Sequence, residues 1–158
     1  MNMSNINYTH YARLIEAIKN TKRIEIMQLL RSDCLTVSEM KKMTGISQAN
    51  ISQHLQVLRR EGVVVTQRNG KEVTYCISHP EFFKVLDSIQ KILADRTQEK
   101  PQINRSTLPT ALEFTDPVCK MKVLPRHTAF SCYYKRTAYY FCASGCKKEF
   151  LKNPKKYV

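Results

Sequence analysis

The carboxyl-terminal quarter of this 158-residue chain holds four of its six cysteines. Cys119 is separated by 22 residues from Cys142, which is separated by three residues from Cys146. Side chains four apart lie on one side of a helix, and a helix N-terminus lowers the pKa of a thiol. A tight turn at the Asp-Pro pair before Cys119 can bring in a third sulfur. The spacing predicts a metal site of three thiolates, with Cys132 and His127 competing for a fourth position.

Three thiolates suit soft and borderline cations, so the predicted ligand is a transition or heavy metal ion, with Cu(I) or Zn(II) favoured. The segment from Glu113 onward has few large aliphatic residues. Domains this small rarely fold on hydrophobic burial alone, so a bound metal would supply the missing stability. Two other interpretations of the same cysteines stay open, namely a purely structural zinc ion and a thiol redox pair.

A second group of side chains has the chemistry to read DNA. Ile51, Leu55 and Leu58 recur at helical spacing and predict the buried face of a helix that begins after Ser47. The opposite face carries hydroxyl and amide groups that can bond to base edges, and an alanine that can meet a thymine methyl. The hairpin that follows presents basic residues suited to phosphates or the minor groove. The predicted DNA contacts are Ser47, Gln48, Ala49, Ser52, Gln53, Gln56, Arg59, Arg68 and Lys71.

Helices and a β-hairpin must position that face. Thr36 and Glu39 form a capping-box pattern at the start of a short helix, which Gly45 ends. The Asn69-Gly70 pair between two β-branched runs predicts a hairpin. Two short helices joined by a glycine-containing turn and followed by a hairpin make a winged helix-turn-helix. Further helices are predicted over 8–18, 21–32, from Pro80 onward and over 143–152, with strands near 128–134 and 137–141.

The charge of the chain favours a polyanionic partner. Lys and Arg number 26 against 13 Asp and Glu, a formal net charge of +13. Residues 1–95 hold 13 basic and 9 acidic side chains, whereas residues 96–158 hold 13 basic and 4 acidic ones. We therefore expect double-stranded DNA as the partner. No apolar run approaches the ~18–20 residues of a membrane helix, and the first residues lack a secretory signal pattern. The expected location is the cytoplasm, with no membrane partner.

The sequences VSEM at 37–40, GISQ at 45–48 and SQHLQVLRREGVV at 52–64 resemble the ArsR-type bacterial transcriptional regulators. The resemblance covers about residues 8–95 and implies a homodimer, packed through its first and last helices, on a partly palindromic operator. The residues that could form the dimer surface are Tyr8, Tyr11, Ile15, Phe83, Leu86 and Ile89.

The usual sensor sites of that family are missing from this sequence. Many metal-sensing members carry two thiols in the third helix, where this chain has Thr36 and Ser38. Neutral hydroxyls are poor ligands for soft metals. Other members hold a metal on the last helix, but the segment 79–99 has His79 and no second histidine. A sensor in this chain must therefore lie elsewhere.

The segment 113–158 resembles the YHS domain and the related TRASH domain, through DPVCKM at 116–121, YYFC at 139–142 and GCKK at 145–148. The resemblance implies a treble-clef-like fold that binds a transition or heavy metal through Cys119, Cys142 and Cys146. Lys120 departs from the family, which commonly has glycine there. The predicted fold class is a mainly α winged helix-turn-helix with a β-wing, plus a small α+β treble-clef-like cysteine-rich domain.

The predicted organisation is a DNA-binding and dimerisation domain over 1–95, a linker over 96–112 and a metal-binding domain over 113–158. We expect a metal-responsive repressor that leaves its operator when a heavy metal binds. One alternative is a thiol-redox or sulfide-responsive repressor that uses Cys34 and Cys76, with a structural zinc in the tail. Another is a metal-trafficking protein. No carboxylate pair, nucleophile–base set or phosphate loop points to an enzyme.

Overall fold

A computed structural model describes residues 8–96, 113–124, 128 and 130–158 of the chain. These residues form a winged helix-turn-helix followed by a smaller module of two hairpins and one helix, which confirms the predicted fold class. The helices are α1 (Tyr8–Ile18), α2 (Thr21–Leu29), α3 (Val37–Thr44), α4 (Gln48–Arg60), α5 (Glu81–Arg96) and α6 (Ser144–Lys152), followed by a 3₁₀ turn at Pro154–Lys156. The strands are β1 (Leu35–Thr36), β2 (Val64–Asn69), β3 (Glu72–Ile77), β4 (Phe114–Thr115), β5 (Lys122–Val123), β6 (Phe130–Tyr134) and β7 (Thr137–Phe141).

Local capping interactions set the limits of α3 and α4. Thr36 Oγ1 accepts a hydrogen bond from the backbone N–H of Glu39 at 3.2 Å, and Glu39 Oε2 accepts from the Thr36 N–H at 2.8 Å. The predicted capping box is therefore confirmed. Gly45 ends α3 with a φ of 71°, the left-handed conformation that glycine adopts without steric cost. Ser47 Oγ then accepts from the Asn50 N–H at 3.3 Å and starts α4.

The wing is a three-stranded antiparallel sheet in the order β1-β3-β2. The hairpin is confirmed, and its strands reach Asn69 and Glu72, so the connection is the two residues Gly70 and Lys71. A φ of 60° at Gly70 permits this tight turn. The two-residue strand β1 was not predicted, because so short a segment carries no periodicity of its own.

Strand β1 also brings together two cysteines that are far apart in the sequence. Leu35 pairs with Tyr75, which places Cys34 beside Cys76, and the two cysteines form a disulfide with a Cα–Cα distance of 4.5 Å. That distance is typical of a non-hydrogen-bonded pair across antiparallel strands, where side chains approach most closely. The bond ties the entry of α3 to the wing.

The carboxyl-terminal module packs around one aromatic side chain. Phe150 of α6 is fully buried and contacts several rings of the hairpin β6–β7 and of the chain end. Its ring neighbours are Tyr134, Tyr139, Phe141 and Tyr157, with centroid separations between 5.0 and 6.2 Å. Aromatic pairs at such distances add to the stability that burial provides.

The two modules share a single hydrophobic core. Met40 and Met43 of α3 belong to the same buried cluster as Phe141, Cys146 and Phe150 of the carboxyl-terminal module. Helices α3 and α6 pack directly against each other. The carboxyl-terminal module thus completes its core against the helix-turn-helix.

The structure corrects one predicted dimer residue and describes little of the predicted linker. Leu86, proposed for the dimer surface, is 7% exposed and belongs to the core instead, because it is on the inward face of α5. Of the linker predicted over 96–112, only Arg96 is described, and it ends α5. Among the helices of the described residues, none has the length and apolar character needed to cross a bilayer.

The capping box provides a stability test of the helix-turn-helix. We expect Thr36→Ala to lower the free energy of unfolding by about 1 kcal/mol, because the Glu39 N–H loses its acceptor. Thr36→Ser keeps the hydroxyl and is expected to cost less than half of that. Urea unfolding under reducing conditions measures both variants. Equal losses for alanine and serine would show that the hydroxyl does not stabilise α3.

Candidate metal centre and candidate nucleic-acid interface

Three sulfur atoms meet at the junction of a turn, a strand end and a helix. Cys119 is in the turn after β4, Cys142 follows β7, and Cys146 is in the first turn of α6. The Sγ atoms of Cys119 and Cys142 are 3.4 Å apart, and those of Cys142 and Cys146 are 3.6 Å apart. The ligand atoms of these cysteines and of Asp116 all lie within 4.8 Å of one another. The structure thus brings together the three thiols that the spacing predicted.

The size of this sulfur triangle fits a soft cation. A tetrahedral ion with metal–sulfur bonds of about 2.3 Å has sulfur–sulfur edges of about 3.8 Å. The observed separations of 3.4 and 3.6 Å are close to that value. Thiolates are the donors that Cu(I) and Zn(II) prefer, so the donor set agrees with the geometry.

Asp116 positions two of the three cysteines. Its side chain is fully buried, and Oδ1 accepts from the backbone N–H groups of Val118 at 2.8 Å and Cys119 at 3.4 Å. Its other oxygen, Oδ2, accepts from the Cys142 N–H at 2.8 Å. Burial raises the pKa of the Asp116 carboxyl, and the hydrogen bond from Cys142 opposes that rise. The sequence predicts Asp116 only as part of a turn, although aspartate side chains commonly accept from the backbone N–H two residues later and so form an Asx turn.

The pKa values of the three thiols are shifted in opposite directions. Hydrogen bonds from Cys142, and next from Cys146, lower the pKa of Cys119 to about 3. The pKa of Cys142 and the pKa of Cys146 are both raised, in each case chiefly by the hydrogen bond to Cys119. These shifts favour a thiolate at Cys119 over one at Cys142 or Cys146, and a cation that takes all three sulfurs displaces the protons that remain.

Of the two residues predicted as a fourth ligand, the structure describes only Cys132. Cys132 is on β6 opposite Tyr139, and burial raises the pKa of its thiol. It is not among the ligand atoms that converge in the described part of the chain. His127 lies outside the described residues. The carboxylate of Asp116 is near the sulfurs, but its oxygens already accept backbone hydrogen bonds.

Lys120, next to Cys119, has a backbone conformation that favours glycine, the residue that the YHS resemblance implies there. Its φ is 65°, in the left-handed region that side chains other than glycine disfavour. The residue closes the Cys119 turn, because its N–H donates to the Asp116 carbonyl at 2.9 Å. The departure of this chain from the family pattern therefore costs backbone strain beside the sulfurs.

The predicted DNA-reading face is exposed along α4. Ile51, Leu55 and Leu58 are buried in the core, as their spacing predicted. The exposed residues of the opposite face are Gln48, Ala49, Ser52, Gln53, Gln56 and Arg59, together with Asn50, which the sequence analysis did not include. Ser47 is exposed, but its hydroxyl is engaged as the helix cap. These residues lie on one face of α4, and their contacts with DNA stay a prediction.

The wing carries its basic residues at the tip. Arg68 and Lys71 are exposed on either side of Gly70, and Arg68 Nε donates to the Gly70 carbonyl at 3.2 Å. That bond orders the tip without burying the guanidinium, which keeps further donors for a phosphate.

The outer face of α1 and α5 is apolar and exposed. Tyr8, Tyr11, Ile15 and Ile89 of the proposed dimer surface are between 45% and 78% exposed. Phe83 is half-buried beneath the Arg31 guanidinium, 4.5 Å from its ring centroid. An interface would remove these apolar side chains from water.

The geometry predicts that Asp116 tightens metal binding without being a ligand. We expect Asp116→Asn to weaken Cu(I) binding by about 10- to 100-fold, because the asparagine side chain keeps only one acceptor oxygen and the backbone N–H of Cys119 or of Cys142 loses its partner. Glu113→Gln, an exposed carboxylate paired with Lys122, serves as the control and is expected to bind as the wild type does. Anaerobic competition with a chromophoric chelator measures both. Wild-type affinity in Asp116→Asn would contradict this role.

Two family models match separate stretches of the chain. The one described as "Bacterial regulatory protein, arsR family" matches residues 20–66, and the YHS domain matches residues 114–158. The first stretch runs from α2 into β2 and contains the whole of α3 and α4. The second contains Asp116 and the three converging cysteines.

Several curated proteins and solved structures are similar to the amino-terminal part. The nodulation protein NolR of Rhizobium meliloti is 32% identical over 98 residues, covering 60% of this chain and 80% of that protein. The transcriptional activator HlyU of Vibrio cholerae is 31% identical over 85 residues, covering 54% and 79%. The crystal structure of Mycobacterium tuberculosis Rv0081 matches with a TM-score of 0.53 at 33% identity, covering 59% of this chain and 94% of that one. The helix-turn-helix, its exposed recognition face and these relatives together show that the chain belongs to the ArsR family of bacterial transcriptional regulators and carries a YHS domain after its winged helix.

Proposed function

We propose that this regulator is a dimeric repressor that binds its operator through α4 and the wing and is released when its three-thiol site takes up a soft metal ion. The observation that carries the proposal is the convergence of the Cys119, Cys142 and Cys146 sulfurs at 3.4 and 3.6 Å. The conventional sensor positions of the family are Thr36 and Ser38 here, and Thr36 is engaged in the capping box.

The DNA half of the proposal is supported by surface chemistry. Gln48, Gln53 and Gln56 project from one exposed face of α4 and can bond bidentately to bases in the major groove. Arg59 near the end of α4 and Arg68 at the wing tip can contact phosphates on either side. We assign Ser47 to capping and Ala49 to an apolar base contact.

The proposed dimer would form through the apolar face of α1 and α5. Tyr8, Tyr11, Ile15 and Ile89 would be buried there, at the positions where the family pattern puts the interface. Two copies of α4 would then read two half-sites, as dimeric helix-turn-helix proteins do. A DNA-binding bacterial regulator acts in the cytoplasm, where we place this protein.

Thermodynamic linkage limits what the metal can do. An ion weakens DNA binding only by the ratio of its affinities for the DNA-free and DNA-bound forms. The relatives include a protein named a transcriptional activator and another named a biofilm growth-associated repressor, so the family does not fix the direction of control. Release of a repressor on metal binding is our proposal for this chain.

Metal titration of DNA binding tests the proposal. A duplex enriched from a random pool by the metal-free protein serves as the probe, and fluorescence anisotropy gives its affinity under reducing conditions. We expect Cu(I) or Zn(II) to weaken binding by about tenfold or more, within the usual range of allosteric coupling. Cys142→Ser should abolish that response, because it removes the sulfur that contacts both others.

Cys132→Ser is the matched control, since it removes a thiol outside the convergent group. It should respond to metal as the wild type does. A Cys142→Ser variant with an unchanged response would refute the sensor, and failure to enrich any duplex would favour metal trafficking instead.

A specific observation favours a second candidate function, control by oxidation. Cys34 and Cys76 form a disulfide that connects the entry of α3 to the wing strand β3. Two thiols and one molecule of hydrogen peroxide would give this disulfide and two molecules of water. Reduction would remove the covalent link between the entry of α3 and the wing and leave only the pairing of β1 with β3, which provides a route to change DNA affinity without any metal.

Peroxide treatment in the presence of a chelator tests this second candidate. We expect the DNA affinity of the reduced wild type and of Cys132→Ser to change on oxidation, with mass spectrometry showing a Cys34–Cys76 link. Cys76→Ser should not respond, because it cannot close the bond. An equal response in Cys76→Ser would remove these cysteines from control.

A further inference from the structure

The first turn of α6 rests on the turn of the helix-turn-helix. We infer that Gly145 transmits the state of the three-thiol site to the α3–α4 turn, and thereby to the start of the recognition helix. The inference rests on the proposed function for its biological purpose, but it concerns a contact that can be measured without DNA.

Gly145 is in its position because no side chain fits there. A Cβ atom at this position would lie 2.4 Å from the Met43 carbonyl oxygen and 2.6 Å from the Thr44 carbonyl carbon. It would also lie 2.8 Å from the Gly45 nitrogen. All three atoms belong to backbone, which cannot move aside as a flexible side chain would. Two backbones therefore meet at direct contact, and glycine is required for the approach.

A second contact holds the same turn of α6. Ala143, the N-cap residue of α6, provides no side-chain hydrogen bond to the helix. The backbone N–H of Ser144 instead donates to Glu25 Oε1 of α2 at 2.8 Å. Glu25 is 8% exposed, and its other oxygen accepts from Lys22 at 3.0 Å. A carboxylate at a helix N-terminus is favourable, so α2 caps the metal-site helix from the other module.

The contact lies between two of the converging sulfurs. Cys142 and Cys146 flank Ser144 and Gly145 along the chain. A shift of these sulfurs toward a common ion must move the first turn of α6 that connects them. Because Gly145 is already against backbone, such a movement cannot occur without altering the α3–α4 turn.

The receiving turn is rigid and short. Thr44 Oγ1 donates to the Met40 carbonyl at 2.7 Å and accepts from the Ile46 N–H at 3.1 Å. Ile46 leads directly to Ser47, the cap of α4. A displacement at Gly45 therefore reaches the first exposed residues of the recognition helix within one turn of chain.

The contact between α6 and the α3–α4 turn leaves one buried polar atom without a hydrogen bond. Among the described residues, none provides a hydrogen bond to Ser144 Oγ, which is buried in the contact. A buried hydroxyl without a partner lowers the stability of the docked form. The free energy that metal binding must supply to shift this contact is smaller by that amount.

Amide hydrogen exchange of residues 43–51 tests the inference. In the wild type under reducing conditions, we expect Cu(I) or, in parallel, Zn(II) to change the exchange rates of this segment by about fivefold or more. Gly145→Ala should abolish that change in samples shown to take up the ion, since all three sulfurs remain. Leu151→Ala, on the exposed side of α6, is the control and should keep the response.

A second pair of variants guards against misfolding of Gly145→Ala. Glu25→Ala removes the acceptor of the Ser144 N–H and should reduce the response, whereas Glu25→Gln keeps a side-chain carbonyl and should preserve most of it. An exchange response that is absent in the wild type, or intact in metal-binding Gly145→Ala, overturns the inference.

DNA affinity measured on the same samples separates the two proposals. If metal alters exchange in the turn but not DNA affinity, the contact stands and the proposed function fails. If metal alters DNA affinity while exchange in the turn stays constant, the proposed function stands and the transmission through Gly145 is refuted.

Discussion

The carboxyl-terminal module depends on one constraint, which is that it cannot enclose a core by itself. Phe150 packs against the aromatic rings of the hairpin β6–β7. Another side of α6 packs against α3, which contributes Met40 and Met43 to the shared core. Small domains bury too little surface to be stable alone. Here the required burial comes from the helix-turn-helix. Because stability is shared in this way, the position of the cysteines depends on the position of α3, and the reverse is also true.

Charge at the cysteine site follows from the same packing. Burial opposes a negative charge on Asp116, whose pKa it raises, and a negative charge on Cys119, whose pKa the neighbouring thiols nevertheless lower to about 3. Each is tolerated because hydrogen-bond donors surround it, backbone N–H groups for Asp116 and neighbouring thiols for Cys119. Such a site offers soft donors that lie within 4.8 Å of one another. Small shifts of the sulfurs are then sufficient to bring them to a common cation.

Most of the secondary structure follows from local patterns in the sequence. The exceptions are elements that only long-range pairing defines. The caps at Thr36, Gly45 and Ser47 are local patterns, and each forms as expected. Strand β1 is two residues long, so only its pairing with β3 defines it, and the Cys34–Cys76 bond depends on that pairing. The same limit applies to Leu86, because helical periodicity cannot tell a core-facing residue from one in a dimer interface.

The amino-acid sequence alone determined the two kinds of module and the helix caps, because these follow from patterns along the chain, and the spacing of Cys119, Cys142 and Cys146 indicated which thiols meet. It also carried the family patterns. Only the tertiary structure decided that Asp116 anchors the sulfurs, that Glu25 caps α6 and that Gly145 lies against the backbone of Met43. These contacts join residues up to 119 positions apart, and nothing local in the chain encodes which distant groups will meet. Close packing of two modules around one core brings them together.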